Sequence, residues 1–172
     1  MERMFPMDFL LNFPLWTAIT AIFFAQFIKV PLHYIMSRKI DWTLITSTGG
    51  MPSSHSAGVS AVTTSIAIES GVGSNLFAVS AVFAVIVMFD ATGVRRQAGE
   101  QAAVLNRLAI DFQKMFTDIH EWHGKTPEEK NREFKKLKEL LGHKPVEVFF
   151  GCLTGIIWAL LVYQIIDIVM NG

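Results

Sequence analysis

The residues with the clearest chemical potential are two histidines, His55 and His143, which lie far apart in a strongly apolar chain. Glu147 follows His143 by four positions, and residues at this spacing share one face of a helix. A carboxylate that binds one ring nitrogen fixes the tautomer and orientation of an imidazole. The spacing therefore favours His143 as a nucleophile toward phosphorus, Glu147 as its orienting partner and His55 as the acid that protonates the leaving oxygen.

Residues 49–58 read GGMPSSHSAG and interrupt the apolar sequence with residue types that disfavour helix or lie at helix ends. The apolar run that follows predicts a helix, so Ser53, Ser54 and His55 fall in its first turn. Free backbone N–H groups at a helix start attract anions, and the preceding glycines let the backbone approach a ligand closely. The stretch therefore predicts a turn shaped to receive an anion.

Basic residues supply the positive charge that a phosphate group needs, because fixed cations stabilise its equatorial oxygens during transfer. The residues predicted to bind phosphate are Ser53, Ser54, Lys29, Arg38, Arg95 and Arg96. Asp90 has two interpretations, an ion pair with Arg95 or Arg96 and a supporting role in the phosphate-binding turn. Simpler interpretations of the basic residues also stand, because lysine and arginine are common anchors at the ends of membrane helices.

Other groups that could suggest a cofactor or a partner have simpler explanations. Residues 118–124 (DIHEWHG) hold two histidines and two carboxylates, but no further ligand pair recurs at a suitable spacing. A solvated loop is favoured there, and no metal or other cofactor is expected. The single cysteine, Cys152, excludes an intrachain disulfide. The net charge of zero gives no signature of nucleic-acid binding.

The composition indicates an all-α integral membrane protein with a single domain over residues 1–172. Hydrophobic residues make up 51% of the sequence and charged residues 17%, against about 25% charged residues in an average soluble domain. Residues 9–28, 70–89 and 148–166 contain no charged residue, and each run is close to the roughly 20 residues that cross a bilayer. A shorter uncharged run at 56–68 predicts a fourth span when its polar start is included.

The predicted order of elements is four membrane helices, at about 8–30, 55–70, 75–92 and from 145 to the C-terminus. A polar insert at about 93–145 separates the last two. Within it, apolar residues recur at helical spacing: Val104, Leu105, Leu108, Phe112, Met115 and Phe116. Residues 126–129 (TPEE) resemble a second helix start, with a capping threonine and a proline at the first helical position. Two amphipathic helices are therefore predicted on the side of the site.

This topology delivers every candidate site residue to one membrane face. The same face holds all of the 15 lysines and arginines except Arg3. Because cytoplasmic loops are enriched in these residues, a multi-pass protein of the cell membrane with its site on the cytoplasmic side is predicted.

The motifs MPSSHSAG and GHKPVEVFFGCLTG resemble signatures of the type-2 phosphatidic acid phosphatase superfamily, which also includes vanadium haloperoxidases. The resemblance is closest to a divergent branch that has Met-Pro-Ser-Ser-His and an Asp-x-x-Gly-Val-Arg-Arg stretch, here DATGVRR at residues 90–96. It implies a phosphohistidine on His143, with Glu147 as its orienting carboxylate and His55 as the general acid. It also implies that Ser53 and Ser54 bind phosphate together with Arg95 or Arg96, and that no metal is needed.

The sequence departs from the family pattern at several positions. Glu147 stands where the family has aspartate, and Ser54 stands where it usually has glycine. Arg96 lies 47 positions before His143, although the family's arginine is only a few positions from its histidine. Lys29 and Arg38 are nine apart and lack the proline of the first family signature.

The expectation that follows is a membrane phosphatase that acts on a lipid phosphate held in the bilayer. Phosphatidylglycerophosphate, phosphatidic acid and polyprenyl (pyro)phosphates are the expected substrates. Two alternatives remain open, a lipid phosphotransferase and a non-catalytic membrane adaptor with a degenerate phosphate site. An oligomer is compatible with either.

Overall fold

The structure is a computed structural model that describes residues 12–47, 49–120 and 142–171, with the backbone alone for residues 115–120. Within these residues the protein is built from helices and contains no strand. The α-helices are α1 (Phe13–Ser37), α2 (Ser54–Ser70), α3 (Asn75–Thr92), α4 (Val94–His120) and α5 (Pro145–Asn171), and a short 3-10 helix covers Trp42–Ile45. The prediction of an all-α fold is confirmed for the described residues.

Three stretches of the described chain are long and apolar enough to cross a membrane: Phe13–Ser37, Asn75–Lys114 and Pro145–Asn171. The predicted fourth span is not among them. It corresponds to α2, which has 17 residues and is rich in serine and threonine, so it is shorter and more polar than the other three.

Several predicted boundaries need correction. The first helix was predicted to end at residue 30, before Pro31, but α1 continues through this proline to Ser37. Helices that cross membranes tolerate internal proline because neighbouring groups compensate for the lost hydrogen bond. The predicted bounds of α3 and the start of α5 agree with the structure. The second amphipathic helix, predicted from TPEE onward, lies outside the described residues.

The first of the two predicted amphipathic helices is α4, which follows α3 after Gly93 alone. Its apolar residues Val104, Leu105, Leu108 and Phe112 are exposed in the described part of the chain. Such a stripe is typical of a helix that lies against a membrane surface or a further part of the protein.

The connection between α1 and α2 folds back along α1 instead of continuing away from it. Arg38 ends α1 in the left-handed conformation, with φ of 57°. The side chain of Gln26, eleven residues before the end of α1, then donates a hydrogen bond of 2.9 Å to the carbonyl of Ile45. The chain therefore returns by about 16 Å along the axis of α1 before α2 begins.

The central helix is α2, which packs against α1, α3 and α5. Its buried positions are mostly small residues, namely Ser54, Ser56, Ala57, Gly58, Ser60, Ala61 and Ser65. Small residues let helix backbones approach closely, which is how helices associate within membranes.

The contact between α2 and α5 depends on two glycines, Gly151 and Gly155. A Cβ atom at Gly151 would overlap the carbonyl oxygen of Ser53, and one at Gly155 would overlap that of Ala57. The backbones of the two helices therefore touch along one and a half turns. This contact fixes the start of α2 relative to the start of α5.

We expect Gly155→Val to force α2 and α5 apart and to destabilise the protein by about 3 kcal/mol, the upper end of the usual cost of overpacking. The midpoint of thermal unfolding in detergent, followed by tryptophan fluorescence, measures the effect. Gly73→Val is the control, since no atom lies within 4 Å of the Cβ position there. Equal midpoints for the two variants would contradict the close approach.

Candidate active site

The structure brings the two predicted histidines together although 88 residues separate them in sequence. The ring centroids of His55 and His143 are 6.0 Å apart, and the ring planes meet at 63°. His55 lies in the first turn of α2, and His143 lies two residues before α5 begins. The edge of one ring therefore faces the plane of the other.

The carboxylate of Glu147 holds the ring of His143. Nδ1 of His143 lies 3.0 Å from Oε2 of Glu147, and the His143 side chain is almost fully buried. The same oxygen accepts a hydrogen bond of 3.2 Å from the backbone N–H of Lys144. Lys144 precedes the first residue of α5, so Glu147 also caps this helix in the manner of a capping box.

Two ring nitrogens at the centre of the site have no partner in the described part of the chain. They are Nε2 of His143 and Nδ1 of His55, and both are shielded from solvent. Buried polar atoms without a partner are rare, because each loses its hydrogen bonds to water. Since Glu147 occupies Nδ1 of His143, Nε2 is the nitrogen that is free to react.

The segment at residues 90–96 reaches His143 through its backbone. The N–H of His143 donates a hydrogen bond of 2.9 Å to the carbonyl of Ala91. Gly142 has φ of +92° and packs directly on the backbone of Arg95 and Arg96. A residue near the end of the insert therefore packs against residues near its start. This contact brings the backbone of the two arginines close to His143, although they lie far from it in sequence.

A backbone hydrogen bond also joins the other two parts of the site. The N–H of Ser53 donates to the carbonyl of Glu147 over 3.0 Å. The hydroxyl of Ser53 is fully buried and caps α2 by accepting from the N–H of Ser56. Ser53 therefore holds the turn, and the phosphate-binding roles of Ser53 and Ser54 stay predictions. The first-turn N–H groups of Ser54 and His55 have no acceptor within the helix, as its geometry requires.

The two predicted arginines differ in their surroundings. Nε of Arg95 lies 2.6 Å from the carboxylate of Asp90, and the charges of both residues act on the His55 ring. Arg96 instead pairs with Glu100, one turn further along α4, over 3.1 Å. Of the two, Arg95 is the one whose charge acts on the His55 ring, and a phosphate-binding role for either arginine stays a prediction. Of the two interpretations of Asp90, the structure contains the ion pair with Arg95.

Lys29 is 1% exposed and belongs to the site through the neighbouring loop. Its Nζ donates to the carbonyls of Gly49, over 3.0 Å, and Ser47, over 3.4 Å. Its charge also interacts with that of Glu147. Arg38 lies about 13 Å farther along the axis of α1 and is exposed, so the structure does not group it with Lys29. A phosphate-binding role for Arg38 stays a prediction.

Two residues beside the site were missed in the sequence. His33 and Lys144 line a cavity of about 290 Å³ together with Lys29 and Glu147. His33 follows Lys29 by four positions and shares its helix face, which was a usable signal. Lys144 was not predicted, because the adjacent His143 and its spacing to Glu147 gave the stronger signal.

Within the described residues no cluster of three or more His, Cys, Asp or Glu side chains could hold a metal ion. Most of the DIHEWHG stretch lies outside them.

Comparisons with known proteins agree on one relationship. The sequence model of a family described as "Divergent PAP2 family" matches residues 10–158. The chain is 60% identical over 154 residues to "Uncharacterized membrane protein YuiD" from Bacillus subtilis (strain 168), which covers 90% of this chain and 96% of that protein. No solved structure matches.

Proposed function

Because the chain belongs to the divergent PAP2 family, we propose that it is a membrane-embedded lipid phosphate phosphatase that works through a phosphohistidine. The observation that carries the proposal is the state of His143. Glu147 holds its Nδ1, its Nε2 is buried without a partner, and the ring of His55 stands opposite. A free, oriented imidazole nitrogen beside a second imidazole suits two-step phosphoryl transfer.

In the first step Nε2 of His143 attacks phosphorus, and the bond from phosphorus to the lipid oxygen breaks. His55 in its protonated form donates its proton to the leaving oxygen. In the second step water attacks the phosphohistidine, His55 takes a proton from the water, and the phosphorus–nitrogen bond breaks. Phosphate leaves, and both histidines return to their starting states.

Positive charge and N–H donors stabilise the phosphoryl group between these steps. Arg95 is a cation whose charge acts on His55, and the first turn of α2 supplies backbone donors. Lys29 contributes by holding the loop at Ser47 and Gly49 in place. None of these roles requires a metal ion.

The proposal is tested by phosphate release from purified protein in detergent. The substrates are phosphatidylglycerophosphate, phosphatidic acid and a polyprenyl pyrophosphate, each assayed with a divalent-metal chelator. We expect release from at least one of them and inhibition by vanadate, which mimics the transferred phosphoryl group. Release from none of these lipids, or release that stops when the chelator is added, would count against the proposal.

The two other functions considered for the sequence make different predictions. A non-catalytic adaptor with a degenerate site has no need of an oriented imidazole with an unpartnered nitrogen, so the contact between Glu147 and His143 favours the enzyme. A phosphotransferase uses the same first step but an alcohol in place of water. Product analysis with an added lipid alcohol separates the phosphotransferase from the phosphatase, because only hydrolysis yields inorganic phosphate.

The distribution of basic residues favours a site on the cytoplasmic side of the membrane.

We expect Glu147→Asp to lower kcat by at least about tenfold, although aspartate is the residue usual in the wider superfamily. The backbone of Glu147 is tied to Ser53, so a carboxylate one methylene shorter does not reach Nδ1 of His143. Glu147→Gln keeps the reach but loses the charge. We expect it to lower kcat by at least about a hundredfold, because an orienting carboxylate contributes up to about 10⁴-fold in a serine-protease triad.

Glu100→Gln is the matched control for these two variants, since Glu100 is an exposed carboxylate that pairs with Arg96 on α4. We expect its kcat to stay within about twofold of the unmodified protein. Initial rates of phosphate release over a range of substrate concentrations give kcat and KM separately. Full activity of Glu147→Gln would mean that the carboxylate does not orient His143.

A further inference from the structure

A groove of about 480 Å³ runs between α1 and α5, on the part of both helices that lies within the predicted membrane spans. Apolar side chains from both helices line it, among them Phe24, Ile28, Phe150, Ile157 and Leu161. On α5 it extends from Phe150 to Leu161, which corresponds to about 16 Å along the helix axis.

The polar side chains that line this groove use their hydrogen-bond donors within the protein. The hydroxyl of Thr154 donates to the carbonyl of Phe150 over 2.7 Å. The indole N–H of Trp158 donates to the hydroxyl of Thr20 over 2.9 Å, and its ring stacks on Phe24 at 4.4 Å between centroids. These side chains offer no free donor to a polar ligand, so the chemistry of the lining selects hydrocarbon.

The groove adjoins the cavity beside the candidate site. Leu32 and Met51 line both the groove and the 290 Å³ cavity that Lys29, Lys144 and Glu147 border. An apolar groove along the predicted membrane span therefore borders a cavity that carries two lysines and the carboxylate that holds His143. This arrangement matches a molecule with a hydrocarbon chain at one end and an anionic group at the other.

We propose that the groove binds one hydrocarbon chain of the substrate, with the phosphate of the headgroup at His143 and His55, beside the 290 Å³ cavity. The inference rests on the proposed function and adds to it that the protein recognises the chain as well as the phosphate. A phosphate without a long chain lacks the burial of apolar surface, which contributes about 25 cal/mol per Å² in transfer from water. Chain binding also positions the headgroup, because α1 and α5 line the groove and α5 carries Glu147, which holds His143.

The test is photo-crosslinking of the full chain with phosphatidic acid that carries a diazirine on a long acyl chain. The His143→Ala variant keeps the probe intact, and peptide mass spectrometry locates the label. We expect labelling of Phe150, Thr154 and Ile157 to exceed that of Val79 and Val82, exposed residues of α3 outside the groove, by at least about fivefold. Phosphatidylcholine with the same labelled chain is expected to give no such enrichment.

Two substitutions serve as an independent check, made in His143→Ala for labelling and in the unmodified protein for KM. Ile157→Trp fills the groove, and Leu160→Trp adds the same bulk to the same helix outside it; the two residues are 55% and 47% exposed. We expect Ile157→Trp to lower groove labelling at least about fivefold and to raise the KM for long-chain phosphatidic acid. We expect Leu160→Trp to leave both unchanged.

Equal labelling of the groove and of α3 overturns the proposal. So does equal labelling of the groove by phosphatidylcholine, which would identify its occupant as bulk membrane lipid. A failure of the phosphatase proposal gives a different result from a failure of the groove proposal. If the groove is labelled selectively but the unmodified protein releases no phosphate, the site binds a lipid anion without hydrolysis. If phosphate is released and the groove is not labelled, the enzyme acts without chain recognition.

Discussion

Replacing His143 with alanine is expected to lower the rate of phosphate release from a lipid phosphate by at least about a thousandfold. His143 supplies a ring nitrogen that Glu147 orients and that is shielded and unpartnered in the described residues. Its loss removes the covalent intermediate, so the fall is expected in kcat. Initial rates with phosphatidic acid and a chelator measure it, and a thermal unfolding curve checks that the variant is folded.

The phosphohistidine itself gives a second measurement of the same prediction. Radiolabelled phosphatidic acid should transfer phosphate to the unmodified protein in a form that is stable to base and labile to acid. We expect no such label on His143→Ala. With p-nitrophenyl phosphate, whose leaving group needs no proton, His55→Ala should still form the intermediate and should hydrolyse it slowly. Phosphate release by His143→Ala within tenfold of the unmodified protein would contradict the mechanism.

Gly142→Ala is expected to lower kcat by at least about a hundredfold although residue 142 has no side chain in the site. A Cβ atom there would lie 2.6 Å from Cα of Arg96 and would also overlap its backbone nitrogen. The turn would have to leave the 91–96 segment, and the hydrogen bond from His143 to Ala91 would break. A displacement of about 1 Å at a catalytic group can reduce a rate about a hundredfold.

Gly71→Ala separates this effect from backbone strain. Gly71 also has a positive φ, +81°, but no atom lies within 4 Å of its Cβ position. Both alanines therefore carry the cost of a positive φ, about 1–3 kcal/mol. Only the Cβ atom of Gly142→Ala also overlaps the backbone of another segment. We expect Gly71→Ala to keep kcat within about twofold. Equal losses in the two variants would mean that docking at Gly142 does not position His143.

Much of the fold was predictable because membrane spans follow from length and hydrophobicity alone. The bounds of α3 were predicted correctly from an uncharged run after a glycine-containing turn, and the start of α5 was predicted correctly from Pro145. The interior position of α2 was not predictable from these signals. Its serine, glycine and alanine residues have low hydropathy, so the sequence alone does not mark this helix as buried. Their small size matters because α2 packs directly on Gly151 and Gly155 of α5.

The candidate site was predictable where its chemistry depends on local spacing. His143 and Glu147 are one helical turn apart, so their contact could be inferred from the sequence, and the structure contains it. Contacts across long loops could not be inferred in this way. The choice of Arg95 over Arg96 depends on how α4 leaves Gly93, and the burial of Lys29 depends on a connection that turns back along α1.

That returning connection has a consequence for the order of events during turnover. It starts α2 alongside the middle of α1, so His55 lies beside a stretch long and apolar enough to cross a membrane and not beyond its end. Under the proposed mechanism, the hydrolytic water would then have to enter between apolar helices. We therefore expect dephosphorylation of His143 to be the slow step of the proposed cycle, so that the phosphorylated form accumulates during turnover.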